Sequence, residues 1–189
     1  MLNVISSPEI RSRADLGALC DARRLWLAAE IGTDIGVFAK QFLRNWKGLK
    51  LLCIDPYEPY DEMPYDRQAD MLVAITALNK FHGRVKFIKA RSTDAVGLIP
   101  DWLKPHFIYI DGCHRYDAVM ADLQAWWPVL PESGILAGHD WDKVNEAVKH
   151  FFDGREKNIY LTHDSPASWY CYRTEPAQLL CTFSERRMK

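Results

Sequence analysis

Residues 25–36 read LWLAAEIGTDIG: the run Leu25–Ile31 is apolar except for Glu30, and Gly32, Thr33, Asp34, Ile35 and Gly36 follow it. A short apolar run closed by glycine has the signature of a strand buried on both faces that ends in a tight loop. Gly36–Trp46 then carries a helical pattern. The same unit recurs along the chain. Lys50–Asp55 (KLLCID), Val85–Ala90 (VKFIKA), Phe107–Asp111 (FIYID) and Gly134–His139 (GILAGH) are further strand candidates, each stopped by Gly, Pro or polar residues. Helical patterns at Asp66–Lys80, Asp94–Ile99, Tyr116–Val129 and Lys143–Phe152 separate them. In one of these, Val119, Leu123 and Trp126 recur at the spacing of a single helix face.

The end of the chain breaks the alternation. Asn158–His163 and Ser168–Arg173 are strand-like and are joined only through Asp164-Ser165-Pro166. So short a link cannot hold a crossover helix, so these two strands pair antiparallel. The expectation is one α/β domain over residues 1–189: a seven-stranded, mostly parallel sheet with an antiparallel last strand, helices on both faces and right-handed crossovers. Residues 1–20 read as a leading helix, 21–174 as the core and 175–189 as a tail.

Composition supports a single soluble domain. The chain has 189 residues, 48% of them hydrophobic and 26% charged, enough to bury an ordinary core. Lys plus Arg number 24 against 25 for Asp plus Glu, a formal charge of -1, which excludes a generally basic nucleic-acid binder. No apolar run is long enough for a membrane span, and Met1–Glu9 does not read as a signal peptide. The five cysteines, an odd number with no CxxC pair, suit a reducing, cytoplasmic setting; Cys53 and Cys171 lie in apolar runs and Cys113 reads as a bystander.

In open α/β sheets ligands bind beyond the carboxyl ends of the strands. The first such end, Glu30-x-Gly32-x-x-x-Gly36, lacks the glycine spacing that wraps a pyrophosphate. Its acids, Glu30 and Asp34, would repel a phosphate and suit a ligand carrying positive charge; a plain tight turn is the other reading. Asp55 ends the second strand, where a carboxylate can accept hydrogen bonds from both hydroxyls of a ribose. Ser92 and Thr93 end the third, where small hydroxyls can line an adenine edge.

On these residues the chain resembles the class I S-adenosylmethionine-dependent methyltransferases over about residues 20–175, with the same seven-stranded sheet and reversed last strand. The resemblance implies a Rossmann-like methyltransferase fold and S-adenosylmethionine as cofactor. Glu30, Gly32, Thr33, Asp34 and Gly36 would then lie near the methionine part, Asp55 at the ribose, Ser92 and Thr93 near adenine, and Asp111 close by.

A second cluster follows from the fourth and fifth strand ends, Ile110-Asp111-Gly112-Cys113-His114-Arg115-Tyr116 and Gly138-His139-Asp140-Trp141. Four ionisable groups, Asp111, His114, His139 and Asp140, converge on one sheet edge. The longer string, from Ile110 through Tyr116, Val119, Asp122, Leu123 and Trp126 to Gly138-His139-Asp140, is similar to small methyltransferases that include sugar O-methyltransferases of macrolide biosynthesis and cephalosporin hydroxylase-like proteins. More distantly it resembles catechol O-methyltransferases. The resemblance implies a divalent metal held by Asp111, His139 and Asp140, with His114 as general base; Asp111 and Asp140 would position the acceptor hydroxyl. His139 departs from the oxygen ligand usual there, which favours Mn²⁺ over Mg²⁺, or no metal at all. The loop Tyr57–Tyr65 reads either as an irregular surface loop or as a lid. Trp126 and Trp127 read as core, and Trp141 as a wall of the substrate site. The expected function is O-methylation of a small-molecule hydroxyl, with no nucleic-acid or membrane partner and with a homodimer to complete so short a chain. The alternatives are a non-catalytic cofactor-binding partner protein and a nicotinamide-dependent oxidoreductase.

Overall fold

The computed structural model describes residues 1–176. The tail expected at 175–189 lies almost wholly outside them. Eight strands form one sheet: β1 (Leu2–Ser6), β2 (Leu27–Ile31), β3 (Lys50–Ile54), β4 (Val85–Ile88), β5 (Phe107–Ile110), β6 (Ile135–Gly138), β7 (Lys157–Leu161) and β8 (Trp169–Tyr172). Their order is β1-β7-β8-β6-β5-β2-β3-β4. All pairings are parallel except those of β8 with β6 and β7. The reversed last strand is therefore as the short Asp164–Pro166 link required.

The strand count is corrected from seven to eight. Residues 2–6 are not part of a leading helix; they extend the sheet as an edge strand in parallel register with β7. Their sequence, LNVIS, carries two adjacent β-branched residues that favour a pleated surface over a helix turn. The helix expected there begins only at α1 (Leu16–Ala22), after a 3-10 turn at Arg13–Asp15.

The remaining helices are α2 (Val37–Asn45), α3 (Gln68–Leu78), α4 (Ser92–Leu98), α5 (Tyr116–Trp126) and α6 (Trp141–Phe151). They cover both faces of the sheet. Leu27, Ala29, Ile31, Leu52 and Ile54 pack with Val119, Leu123 and Trp126 of α5 and Val144 and Val148 of α6. The alternate residues Ala28, Leu51 and Cys53 pack with Leu16 and Cys20 of α1, Phe38 and Phe42 of α2 and Leu78 of α3. Period-two alternation thus feeds two cores from strands that are apolar throughout. Phe42 is fully buried and stacks on Phe107, and its truncation to Ala would cost about 3–5 kcal/mol. Among the described residues no helix is long and apolar enough to cross a membrane.

The chain order reverses between β2 and β5, which lie side by side with Ile31 opposite Ile110. A crevice therefore opens where the loops after these two strands diverge.

Candidate active site

A cavity of about 650 Å³ fills that crevice, bounded by the loops after β2, β3, β4 and β5. Glu30, Gly32, Thr33, Asp34, Asp55, Ser92, Thr93, Asp111 and His114 all line it. Gly36 lies just behind, as the N-cap of α2. Gly32 and Gly36 take the left-handed conformation, at φ +84 and +79. At Gly32 a side chain would also collide with the backbone of Asp111, so this glycine lets the β2 and β5 loops touch.

Three of the four non-glycine residues with positive φ among those described (Asp34, Tyr57 and Asp140) sit at the ends of β2, β3 and β6. Strain of this kind concentrates at functional edges.

Glu30 is buried, and its Oε1 accepts the Ala39 N–H at 3.1 Å. Its Oε2 and the Thr33 hydroxyl have no hydrogen-bond partner among the described residues. Burial, reinforced by the charge of Asp111, pushes the Glu30 carboxyl well above the usual range. A buried carboxyl that lines a cavity with one oxygen unpaired can receive a cation or a donor.

Asp55 is fully engaged. Oδ1 accepts from Tyr57 N–H at 2.7 Å and from Arg67 Nη1 at 3.2 Å. Oδ2 accepts from Asp34 N–H at 2.9 Å and from Arg67 Nη2 at 3.4 Å. Arg67, only 3% exposed, also pairs with Asp34 and Asp70. Sequence reasoning missed Arg67. The signal was the neighbourhood of two acids, Asp34 and Asp55, for which no cation had been found.

Asp122 was also missed as a site residue. It lines the cavity from α5, and burial raises its carboxyl to about 6. Beside it, Ser92 accepts the Trp126 indole N–H at 2.8 Å.

The four-residue cluster is brought together as expected. His114 lies between two carboxylates, with Nδ1 3.1 Å from Glu62 and Nε2 3.1 Å from Asp140. Glu62 also accepts the His114 backbone N–H at 3.2 Å. Its carboxylate thus lies against the Nδ1 side of the ring, a charge contact without hydrogen-bond geometry. The approach of Nε2 to Asp140 lacks hydrogen-bond geometry, and this buried nitrogen has no partner. Asp140 is held below the ordinary carboxylate range: burial opposes this, but the Lys143 hydrogen bond and the nearby His139 and His114 outweigh it.

The loop at 57–65 lines the cavity, with Glu58 paired to Arg91, Asp61 to Arg115 and Glu62 to His114. Trp141 does not wall the substrate site. It packs into the core, because Asp140 in left-handed conformation starts α6 and turns the next side chain inward. Trp126 and Trp127 are buried, as expected.

The donor set expected for a metal does not fit one. Arg13 Nη1 donates to His139 Nε2 at 3.3 Å and lies 3.8 Å from Asp111. Arginine has no acceptor, so Nε2 must carry the lone pair and Nδ1 the proton. That Nδ1 faces Asp111 and Asp140 at 3.4 Å each. His139 therefore has no lone pair left for a metal. Lys143 lies 3.0 Å from Asp140 Oδ2. A divalent ion would sit beside the Arg13 guanidinium, where each unit of like charge at about 4 Å costs about 4 kcal/mol near a protein surface. Among the described residues no group of three or more His, Cys, Asp and Glu is arranged to hold a metal ion.

Residues 29–141 match a family described as a methyltransferase domain. The chain belongs to that family. Its fold is that of the class I S-adenosylmethionine-dependent methyltransferases. One similar structure is the O-methyltransferase TomG from Streptomyces achromogenes, involved in tomaymycin synthesis and solved with S-adenosylmethionine. It is 15% identical, with a TM-score of 0.67 over 90% of this chain and 82% of that one. Another is an O-methyltransferase from Bacillus cereus in complex with S-adenosylhomocysteine, 14% identical, with a TM-score of 0.63 over 85% and 80% of the two chains. A third is an rRNA methylase from Streptococcus thermophilus, 11% identical, with a TM-score of 0.63 over 86% and 94%. Methyltransferases with different acceptors therefore share this fold, and the acceptor must be read from the site. No match to the sequence was found among curated proteins.

Proposed function

We infer that this methyltransferase uses S-adenosylmethionine to methylate a hydroxyl oxygen of a small molecule. The observation that carries this reading is one cavity lined both by Glu30, a buried acid with one oxygen unpaired, and by His114, whose Nε2 has no hydrogen-bond partner among the described residues. The cofactor has a sulfonium and an ammonium but no phosphate, which matches an acidic loop without pyrophosphate-wrapping glycines. When bound it supplies an electrophilic methyl group.

The chain's residues divide the remaining work. Glu30 receives the ammonium, and Gly32, Thr33, Asp34 and Gly36 shape the loop around the methionine part. Asp55 takes a ribose hydroxyl by giving up its longest bond, the 3.4 Å contact with Arg67 Nη2. Ser92, Thr93 and Asp122 border the adenine end. On the other side, Asp111 and Asp140 position the acceptor hydroxyl and His114 Nε2 takes its proton. In the Nδ1–H tautomer, which the Glu62 charge beside Nδ1 favours, Nε2 and Asp140 Oδ2 are two acceptors facing each other, an arrangement that a hydroxyl proton relieves. The 57–65 loop excludes water, so alignment of oxygen, methyl and sulfur supplies most of the acceleration.

The test is transfer of labelled methyl to a panel of catechols, phenols and sugar hydroxyls, followed by mass spectrometry of the products. The reading expects an O-methyl product from the wild type and none from His114→Ala. Methylation of nitrogen acceptors alone, or an undiminished rate in His114→Ala, would contradict it.

A further inference from the structure

Where the metal-dependent pattern would set a divalent cation, this chain has a guanidinium, and its source is the N-terminal segment that the sequence pattern did not place. β1 adds an edge strand beside β7, and the chain after it folds back across the sheet edge. Arg13 is then anchored at both flanks. Its backbone N–H donates to Asp164 at 3.0 Å, and Asp15 accepts from both the N–H and the hydroxyl of Ser12. Arg11 is tied to the β7–β8 loop through its carbonyl, which accepts the His163 N–H at 2.7 Å. The side chain lines the cavity, reaches His139 and Asp111, and stays partly exposed.

We propose that Arg13 is a catalytic residue that replaces the divalent metal: its guanidinium binds the acceptor oxygen and stabilises negative charge on it during methyl transfer. This rests on the methyl-transfer reading above. A guanidinium is charged at every accessible pH and carries five N–H donors, so engaging His139 leaves others for a ligand oxygen. In the step itself the acceptor O–H bond breaks and its proton goes to His114 Nε2. An oxygen lone pair forms the bond to the methyl carbon, and the carbon–sulfur pair returns to sulfur, leaving the neutral thioether. The oxygen carries most negative charge before the new bond is complete, which is where a fixed cation lowers the barrier. His139 acts as a positioning residue: its lone pair holds the guanidinium and its Nδ1–H turns toward the two acids.

The experiment is Mn²⁺ binding, followed by electron paramagnetic resonance, on protein saturated with S-adenosylhomocysteine. Wild type is expected to leave Mn²⁺ free up to millimolar concentration. Arg13→Met should bind it at least about ten-fold more tightly, because Asp111 and the His139 lone pair are released beside Asp140. Arg13→Lys should again exclude it. Thermal melting and S-adenosylhomocysteine binding confirm that each variant is folded and loaded. With an accepted substrate, wild-type turnover should be unchanged by EDTA, and Arg13→Met should fall about 100-fold. Stoichiometric Mn²⁺ on the wild type that is lost in Asp111→Asn would overturn the proposal. So would a folded Arg13→Met that excludes Mn²⁺ as the wild type does. Failure of the wild type to bind S-adenosylhomocysteine would instead overturn the methyl-transfer reading itself.

Discussion

Around Asp55 the cavity wall is a closed circuit, whereas at the ends of β5 and β6 it is left open. In the first region Asp55 is saturated by Arg67 and two backbone N–H groups, and Arg67 in turn joins Asp34 and Asp70. In the second, His114 Nε2 has no partner, and two carboxylates, two histidines and Arg13 share contacts of 3.1–3.8 Å. A saturated wall holds shape and suits a ligand bound the same way in every turnover. An unsaturated wall keeps a proton acceptor and a cation free for groups that change charge. The contrast separates binding from chemistry, and substitutions on the two sides should therefore fail differently.

The largest effect is expected at Arg67. Arg67→Met leaves Asp55, 2% exposed, as a buried charge without its cation. That should cost about 3–5 kcal/mol of stability in denaturant unfolding and abolish cofactor binding. A change below about 1 kcal/mol would show that the circuit is not what holds this wall. On the open side, His114→Ala should lower turnover at least about 100-fold while calorimetry finds the affinity for S-adenosylhomocysteine unchanged. Loss of both together would erase the division of labour.

Asp122 offers a test that needs no substrate. Its carboxyl is raised from an ordinary 3.8 to about 6 by burial, so the fold favours its protonated form. The stability this contributes is full below about pH 4 and lost as pH rises through 6. Asp122→Asn should therefore be more stable than wild type at pH 7, by roughly 2–3 kcal/mol, with the advantage vanishing near pH 4. Equal melting of the two proteins at both pH values would contradict it.

The smallest effect is at Glu30. Burial and Asp111 raise its carboxyl, and an ammonium group favours the carboxylate. Binding of S-adenosylhomocysteine should thus release a proton and tighten as pH rises. Calorimetry in buffers of different ionisation enthalpy measures this, and buffer-independent heats would show that Glu30 does not meet the ammonium.

The two regions also differed in how much could be read from sequence. The closed wall follows β2 and β3 directly, so local pattern located Glu30, Gly32, Gly36 and Asp55. Arg67 escaped because it is the N-cap of α3, at the start of a helical pattern whose apolar face does not mark a buried arginine. The core strands, the reversed β8 and the convergence of Asp111, His114, His139 and Asp140 were legible from strand ends alone. The contacts that decide the open wall were not: Arg13 reaches Asp111 and Glu62 reaches His114 across long stretches of chain. The metal expectation for Asp111, His139 and Asp140 came from the resemblance to metal-dependent relatives, and matching residues do not reveal that Arg13 already uses the His139 lone pair. Trp141 was misplaced for a related reason, since the left-handed turn at Asp140 sets its direction.

The central claim is that the crevice between β2 and β5 receives a phosphate-free, positively charged nucleoside. Calorimetric titration of the wild type with S-adenosylhomocysteine and, separately, with NAD tests it most directly. The structure leads us to expect one molecule of S-adenosylhomocysteine bound per chain, with binding lost in Arg67→Met, and no heat from NAD. Binding of NAD in preference to S-adenosylhomocysteine would contradict the account.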